Sequence, residues 1–142
     1  MLSFMINFIK VIPNENHIKE LYLLLSLRKY SISHVKLPSF EEHRKFVLEN
    51  PYIEWYLLFK SKKLLGSVYI HSDNSIGINI NLLNKENLIE IIKFIKDNHQ
   101  PLPPIKSLRR GEFFINIPSN DLIFVEILKE LNKSEIQRSF VI

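Results

Sequence analysis

The segment Ser75-Ile76-Gly77-Ile78-Asn79-Ile80-Asn81-Leu82, with the stretch from Asn84 to Ile95 behind it, organises the whole chain. In the first segment, Ile76, Ile78, Ile80 and Leu82 alternate with Gly77, Asn79 and Asn81, the period of a strand with one apolar face. In the second, Leu88, Ile91, Ile92 and Ile95 fall at i, i+3, i+4 and i+7, one buried helical stripe, with Asn84 placed to cap it. A strand therefore runs at once into an amphipathic helix.

Working outward, two more strands precede this pair. Residues 53–59 place Ile53, Trp55, Leu57 and Phe59 on one face, and residues 64–71 place Leu64, Gly66, Val68 and Ile70 on one face. Ser61-Lys62-Lys63 and Ser72-Asp73-Asn74 are short polar turns, so the three strands should form an antiparallel meander. Upstream, residues 4–12 read as a first strand ended by Pro13. Asn14 or Asn16 can cap a helix running to about Arg28, with Ile18, Leu21, Tyr22 and Leu25 on one face. A loop over residues 29–38 leads to Ser39-Phe40-Glu41-Glu42, a capping box opening a second helix that should stop near Asn50-Pro51.

Downstream, Gln100-Pro101-Leu102-Pro103-Pro104 breaks the third helix. Residues 112–117 read as a strand, Ser119 or Asn120 caps a fourth helix carrying Phe124, Ile127, Leu128 and Leu131, and residues 136–142 read as a final strand. Strands separated by helices cannot form tight hairpins. The expected fold class is therefore α/β (α+β): a mixed, mostly antiparallel central sheet flanked by about four helices, in a single domain over residues 1–142.

The composition sets limits. The chain has 142 residues, 46% of them hydrophobic, enough for one ordinary core. It has no cysteine, which excludes disulfides, thiolate metal sites and a cysteine nucleophile. Residues 1–12 lack a basic n-region and a small-residue cleavage site, so a strand is expected there and not a signal peptide. No apolar run reaches the roughly 20 residues needed to span a bilayer. A cytoplasmic protein with no membrane partner is expected. The net charge of +4 and pI of about 9.3 favour anionic ligands such as nucleotides but are too weak to argue for nucleic acid. His17, His34, His43, His71 and His99 show no metal-ligand spacing, and no metal is expected.

The element order resembles that of the GNAT acyltransferase superfamily over nearly the whole chain. Four local stretches add to the resemblance. Glu54-Trp55-Tyr56-Leu57-Leu58 through Leu65-Gly66-Ser67-Val68-Tyr69-Ile70 is similar to the family's central hairpin. Ser75-Ile76-Gly77-Ile78-Asn79-Ile80 is similar to its fourth strand. Phe113-Phe114-Ile115-Asn116-Ile117-Pro118-Ser119-Asn120 is similar to the strand-to-helix segment whose asparagine faces the cofactor. Glu41-Glu42-His43-Arg44-Lys45-Phe46 resembles a helix entry in members that acetylate amino sugars or protein N-termini.

The resemblance implies a mechanism. The fourth and fifth strands splay apart, the pantetheine arm of coenzyme A inserts between them, and its pyrophosphate sits on amides at the third helix N-terminus, where unpaired N–H groups attract an anion. It implies cofactor contacts at Asn79, Asn81, Leu82, Leu83, Lys85, Asn87 and Asn120, with acetyl-CoA or another acyl-CoA as cosubstrate. The family's glycine-rich loop is replaced by Leu82-Leu83-Asn84-Lys85-Glu86-Asn87, without glycine. Side chains would crowd the amides there, and Glu86 opposes a pyrophosphate that Lys85 favours. The tyrosine usual after the asparagine is Ile127, and the usual Gly-Phe is replaced near Asn132-Lys133.

Each candidate also has a plain reading. Asn120 is explained by helix capping, and Asn79 and Asn81 by a solvent-facing sheet. Asn116 would join them at the splay. For a general base, His71 has an ordinary pKa of about 6.5, suited to an ammonium, and Glu54 begins the second strand; a turn histidine is otherwise simply solvated. Arg28, Lys29, Tyr30 and Lys36, and Lys106, Arg109, Arg110, Phe113 and Phe114, mix cations with rings, as solvated loop ends or as contacts to a phosphate or a single strand. The function expected is acyl transfer to a primary amine of a small molecule or amino sugar. The alternative is a catalytically inactive GNAT-fold binding module. The oligomeric state stays open, a homodimer included.

Overall fold

The computed structural model describes residues 5–28, 36–81 and 83–142. The elements are β1 (Asn7–Lys10), α1 (Glu15–Leu27), α2 (Phe40–Leu48), β2 (Glu54–Lys60), β3 (Lys63–Ile70), β4 (Ser75–Ile80), α3 (Lys85–Asn98), β5 (Phe114–Ile115) and α4 (Leu122–Glu130). Helix starts follow local chemistry. The Asn14 side chain accepts from the His17 N–H at 2.8 Å, Ser39 from Glu42 at 3.1 Å and Asn84 from Asn87 at 2.7 Å. Each bond satisfies an amide that the helix itself leaves unpaired.

The strands form one mixed sheet in the order β1-β2-β3-β4-β5. The pairs β1–β2, β2–β3 and β3–β4 are antiparallel, whereas β4 and β5 are parallel. Alternation along each strand feeds two cores. Trp55, Leu57 and Phe59 face α1 and α2, packing with Ile18, Leu21, Leu24 and Val47. Tyr56, Leu58, Val68, Ile70 and Ile76 face α3, packing with Ile91 and Ile95. Leu57 and Leu58 are both fully buried, one in each layer. Full burial of such a side chain contributes about 1.5–3 kcal/mol.

Three expectations are corrected. Leu64 does not share a face with Val68 and Ile70. Leu58 pairs with Gly66 but Phe59 with Leu64, so Leu65 is an extra residue, a bulge that turns Leu64 towards the α1 and α2 layer. The cap of α4 is neither Ser119 nor Asn120. Asp121 accepts from the Phe124 N–H at 3.2 Å, because the helix begins at Leu122 and the cap must lie one residue before it. Residues 133–142 form no strand. Strand pattern alone is not stable without a ladder partner, and in this chain Val141 and Ile142 are fully exposed.

The expected first strand over residues 4–12 is shorter, Asn7–Lys10, extended by a bond from the Val11 N–H to the Trp55 carbonyl at 2.8 Å; Phe4 lies outside the described residues. The turns are unusual. Ser61, Lys62, Asn74, Ser107 and Asn132 adopt positive φ, between 50° and 73°, and none of the glycines does. Gly66 serves close approach instead, since a Cβ there would strike the backbone oxygen of Asn79. Among the described residues, no helix is long and apolar enough to cross a membrane.

Candidate functional site

The site is built where β4 parts from β5. Only Ser75–Phe114 and Ile76–Ile115 pair, so residues 77–80 of β4 have no ladder neighbour on the β5 side. At about 3.3 Å per residue this leaves roughly 13 Å of open strand edge. Asn74 fixes the apex. It is 1% exposed, its Nδ2 donates to the carbonyls of Leu102 and Arg110 at 2.9 and 2.8 Å, and its Oδ1 accepts from the Leu102 N–H at 2.7 Å. Its own carbonyl accepts from the Phe114 N–H at 3.2 Å, which sets β5 against β4.

The open edge ends at the N-terminus of α3. Asn84 engages two first-turn amides there, those of Asn87 by its side chain and of Leu88 by its carbonyl. Among the described residues, the N–H groups of Lys85 and Glu86 have no protein acceptor. Leu83 is half-buried and Glu86 is exposed, while Leu82 lies outside the described residues. Lys85 lies 3.9 Å from Glu130 of α4. Lys60, at the end of β2, donates to Oδ1 of the buried Asn87 at 3.0 Å, adding a second cation to this helix end. The sequence reading missed Lys60. Its signal was its place at the end of a strand whose neighbour turn, Ser61-Lys62, lies at the same end of the sheet as the close of β4.

The asparagines separate. Asn79 turns towards the α1 layer, its Nδ2 donating to the Leu24 carbonyl at 3.4 Å. Asn81 is exposed just past β4, its N–H bonded to the Leu65 carbonyl at 3.3 Å. Asn116 and Asn120 are both exposed, Asn116 just beyond β5 and Asn120 in the turn before α4. Asn120 is free of a capping role.

Glu54 and His71 lie together at the opposite end of the sheet. Glu54 pairs with Ile70, next to His71, and is bound to Lys10 at 3.3 Å. His71 Nδ1 stands 3.7 Å from Asp73 and 3.4 Å from the Ser72 hydroxyl. Burial pushes the Asp73 carboxyl up, but bonds from Ser75 and the neighbouring His71 outweigh it and hold the group low. The length of β4, about 17 Å, separates this end from the α3 terminus. These two residues therefore do not join the residues at α3.

An aromatic group on the α1 and α2 face bridges part of that span, and the sequence reading also missed it. Tyr69 pairs with Gly77 of β4, and its ring fills the space a Cβ at Gly77 would take. Tyr52 stacks on Tyr69 with ring centroids 3.9 Å apart, and Trp55 meets Tyr52 edge-on at 4.9 Å. Burial pushes both phenols up; Tyr69 adds to this at Tyr52, while Arg28 draws both back. The Trp55 indole N–H is buried without a partner among the described residues. Counting through the Ser72-Asp73-Asn74 turn would have placed Tyr69 opposite Gly77. Among the described residues, no three His, Asp or Glu side chains are arranged to hold a metal ion. Lys29 and Tyr30 lie outside the described residues.

No protein-family model matches this sequence, and no curated protein matches it. Solved structures do. The chain is similar to an acetyltransferase from Thermus thermophilus, with a TM-score of 0.65 and 10% identity, over 92% of this chain and 88% of that one. It is similar to the Campylobacter jejuni N-acetyltransferase PseH in complex with acetyl coenzyme A, with a TM-score of 0.59 and 14% identity, over 95% and 92%. A third is the aminoglycoside N-acetyltransferase AAC(6')-Iy in complex with CoA, with a TM-score of 0.61 and 12% identity, over 99% and 95%. At such identities the likeness is one of fold.

Proposed function

We propose that this chain, which has the fold of the GNAT acetyltransferases, is an N-acyltransferase that moves an acyl group from acetyl-CoA or a related acyl-CoA to a primary amine of a small molecule or amino sugar. One observation carries the reading: β4 and β5 are parallel, touch only at their first residues, and leave an open strand edge leading to the α3 N-terminus. An extended amide-bearing arm would bond to that edge as an added strand would. Residues 77–80 would receive it, and the amides of Lys85 and Glu86, with Lys60 and Lys85, would face the diphosphate. The fit is through charge and two open amides, where a glycine-rich loop would offer more amides at closer approach.

The thioester of acyl-CoA supplies an activated carbonyl carbon. The amine nitrogen forms the new C–N bond as the C–S bond breaks, so the amine must lose a proton and the departing sulfur must gain one. Tyr69, like any tyrosine, is a phenol at neutral pH, burial pushes its pKa further up, and its ring lies over β4. In this reading it would give a proton to sulfur, a role for which Ile127 has no group. His71 is the candidate acceptor of the amine proton, through water. Glu54 is less suited because Lys10 already engages it.

The test is calorimetric titration with acetyl-CoA, with CoA alongside. Micromolar binding supports the reading, and a screen of amine acceptors then identifies the substrate. Absence of binding at millimolar ligand overturns it and favours a GNAT-fold binding module, a reading supported by Asn84 holding the Asn87 amide that a phosphate would otherwise contact.

A further inference from the structure

We propose that the amine acceptor also carries an acidic group, a carboxylate or a phosphate, and that Arg28 holds this group beside the hydroxyls of Tyr52 and Tyr69. The proposal rests on the acyltransferase reading and adds the substrate class to it. On that reading, an arm whose diphosphate meets the start of α3 runs back along β4 from residue 80 to residue 77. Its acyl end then comes to Gly77, and the amine must arrive there.

Register builds what stands at Gly77. Trp55, Tyr69 and Gly77 lie side by side on β2, β3 and β4, on the face covered by α1 and α2. A Cβ at Gly77 would strike Cζ and the hydroxyl of Tyr69, so the phenol end of that ring reaches over β4. Tyr52 stacks on Tyr69 with centroids 3.9 Å apart and planes within 9°, and the His71 ring stands 6.0 Å from Tyr52. A hydrogen bond joins the two hydroxyls.

Arg28 brings the charge. It follows the last turn of α1 as the C-cap, four residues and so about one turn beyond Leu24, whose carbonyl accepts from Asn79 of β4 at 3.4 Å. Its guanidinium lies close enough to both phenols to draw them down against burial. A guanidinium carries five donors in a planar fork that fits a carboxylate or a phosphate, so a bond made within the protein leaves others for a ligand. A second guanidinium is tied to the turn that carries His71: Arg109 donates from Nη1 to the Ser72 carbonyl at 3.4 Å and from Nε to that of Pro103 at 2.8 Å. The carboxylate of this turn, Asp73, is already engaged, accepting from the Ser75 N–H at 2.8 Å and standing 3.7 Å from His71. Glu54 is bound to Lys10 and, by strand alternation from Trp55, lies on the opposite face. A polycationic amine would meet like charge here, whereas an amine that bears an acid would meet its complement. Arg28, Tyr52 and Tyr69 are each half-buried, where a charge-assisted bond counts for more than in open water.

The test is calorimetric titration of matched amines into the full chain in the presence of CoA: β-alanine against β-alaninamide, phosphoethanolamine against ethanolamine, and spermidine as a polycation. The acid-bearing member of one pair should bind about tenfold tighter than its neutral partner, and which pair does so separates carboxylate from phosphate. The preference should shrink in high salt. Arg28→Gln should bring the pair to within about twofold. Arg28→Lys, which keeps the charge without the fork, should retain part of the preference and serves if the glutamine variant melts early. Release of the CoA thiol from acetyl-CoA, measured alongside, judges acyl transfer separately, and the protein adds no thiol of its own because the chain has no cysteine. Thiol release without an acid preference overturns this proposal and leaves acyl transfer standing. An acid preference that depends on Arg28, with no thiol release from any amine, supports the anion site and removes acyl transfer. Equal binding within both pairs, tighter spermidine, or a preference that survives Arg28→Gln overturns the proposal.

Discussion

Replacing Asn74 with alanine tests the apex of the candidate cleft. The side chain makes three bonds, two donated to the carbonyls of Leu102 and Arg110 and one accepted from the Leu102 N–H, all between 2.7 and 2.9 Å. A net value of about 1 kcal/mol per bond gives about 3 kcal/mol. Asn74 also sits at φ 73°, where alanine is disfavoured by a further 1 kcal/mol or so. The expected loss is therefore about 4 kcal/mol, a large fraction of the stability of an ordinary domain. Trp55 is the sole tryptophan and lies in the α1 and α2 layer, so urea unfolding can be followed by its fluorescence. Asn74→Gly removes the same bonds without the φ strain and should lose about 1 kcal/mol less, before the greater chain entropy of glycine offsets part of that gain. If acyl-CoA binds as proposed, the alanine variant should also bind it more weakly under folding conditions, because the Phe114–Asn74 bond that seats β5 is loosened. A loss below about 1 kcal/mol for Asn74→Ala would refute the bond accounting.

Four further outcomes are expected. His43 is buried, donates from Nε2 to the Ile18 carbonyl at 3.1 Å, and has its pKa lowered by burial, with that bond opposing. Because the unfolded chain takes up this proton first, stability should fall as pH drops below the ordinary value of 6.5 and level off once the folded pKa is passed; His43→Gln should flatten that part of a pH series of melts. Asp121→Ala should cost about 1 kcal/mol through loss of the α4 cap. Asn120→Ala should leave the melting temperature unchanged while weakening acetyl-CoA in calorimetry, and unchanged affinity would leave Asn120 a turn residue only. Lys60→Ala should weaken acetyl-CoA by about fivefold, or roughly 1 kcal/mol. That loss should shrink in high salt, and equal affinity at low salt would remove Lys60 from the site.

The sequence was readable where one element decides its own form. The period change between β4 and α3, the caps Asn14, Ser39 and Asn84, and the polar turns all needed only neighbouring residues. It failed where the outcome depended on distant ones. The bulge at Leu65 follows from how β3 meets β2, and a strand-like tail forms no strand without an edge to meet it. The α4 cap moved by one residue because Asn120 and Asp121 are equally good caps in isolation, and only the start at Leu122 selects between them. The placement of Lys85 and Asn87 in the first turn of α3 was legible from the helix cap before them. Lys60 and the Tyr69–Gly77 pair were not, since each depends on register across a turn. Glu54 and His71 were named from their places, early in the second strand and beside the second turn, and the structure sets both at the end of the sheet away from α3.

The left-handed turn residues say something about this chain's room to change. Among the described residues, five positions at positive φ are held by serine, lysine or asparagine, while the scarce glycines stand at other conformations. At the exposed Ser61, Lys62, Ser107 and Asn132, unlike the buried and bonded Asn74, a single substitution can relax the backbone without touching either core. The Ser61-Lys62 hairpin, with both residues left-handed, would be eased by Asn-Gly. A lineage carrying this fold therefore holds an untapped reserve of robustness in its loops, against which later changes in a cleft could accumulate without unfolding the molecule.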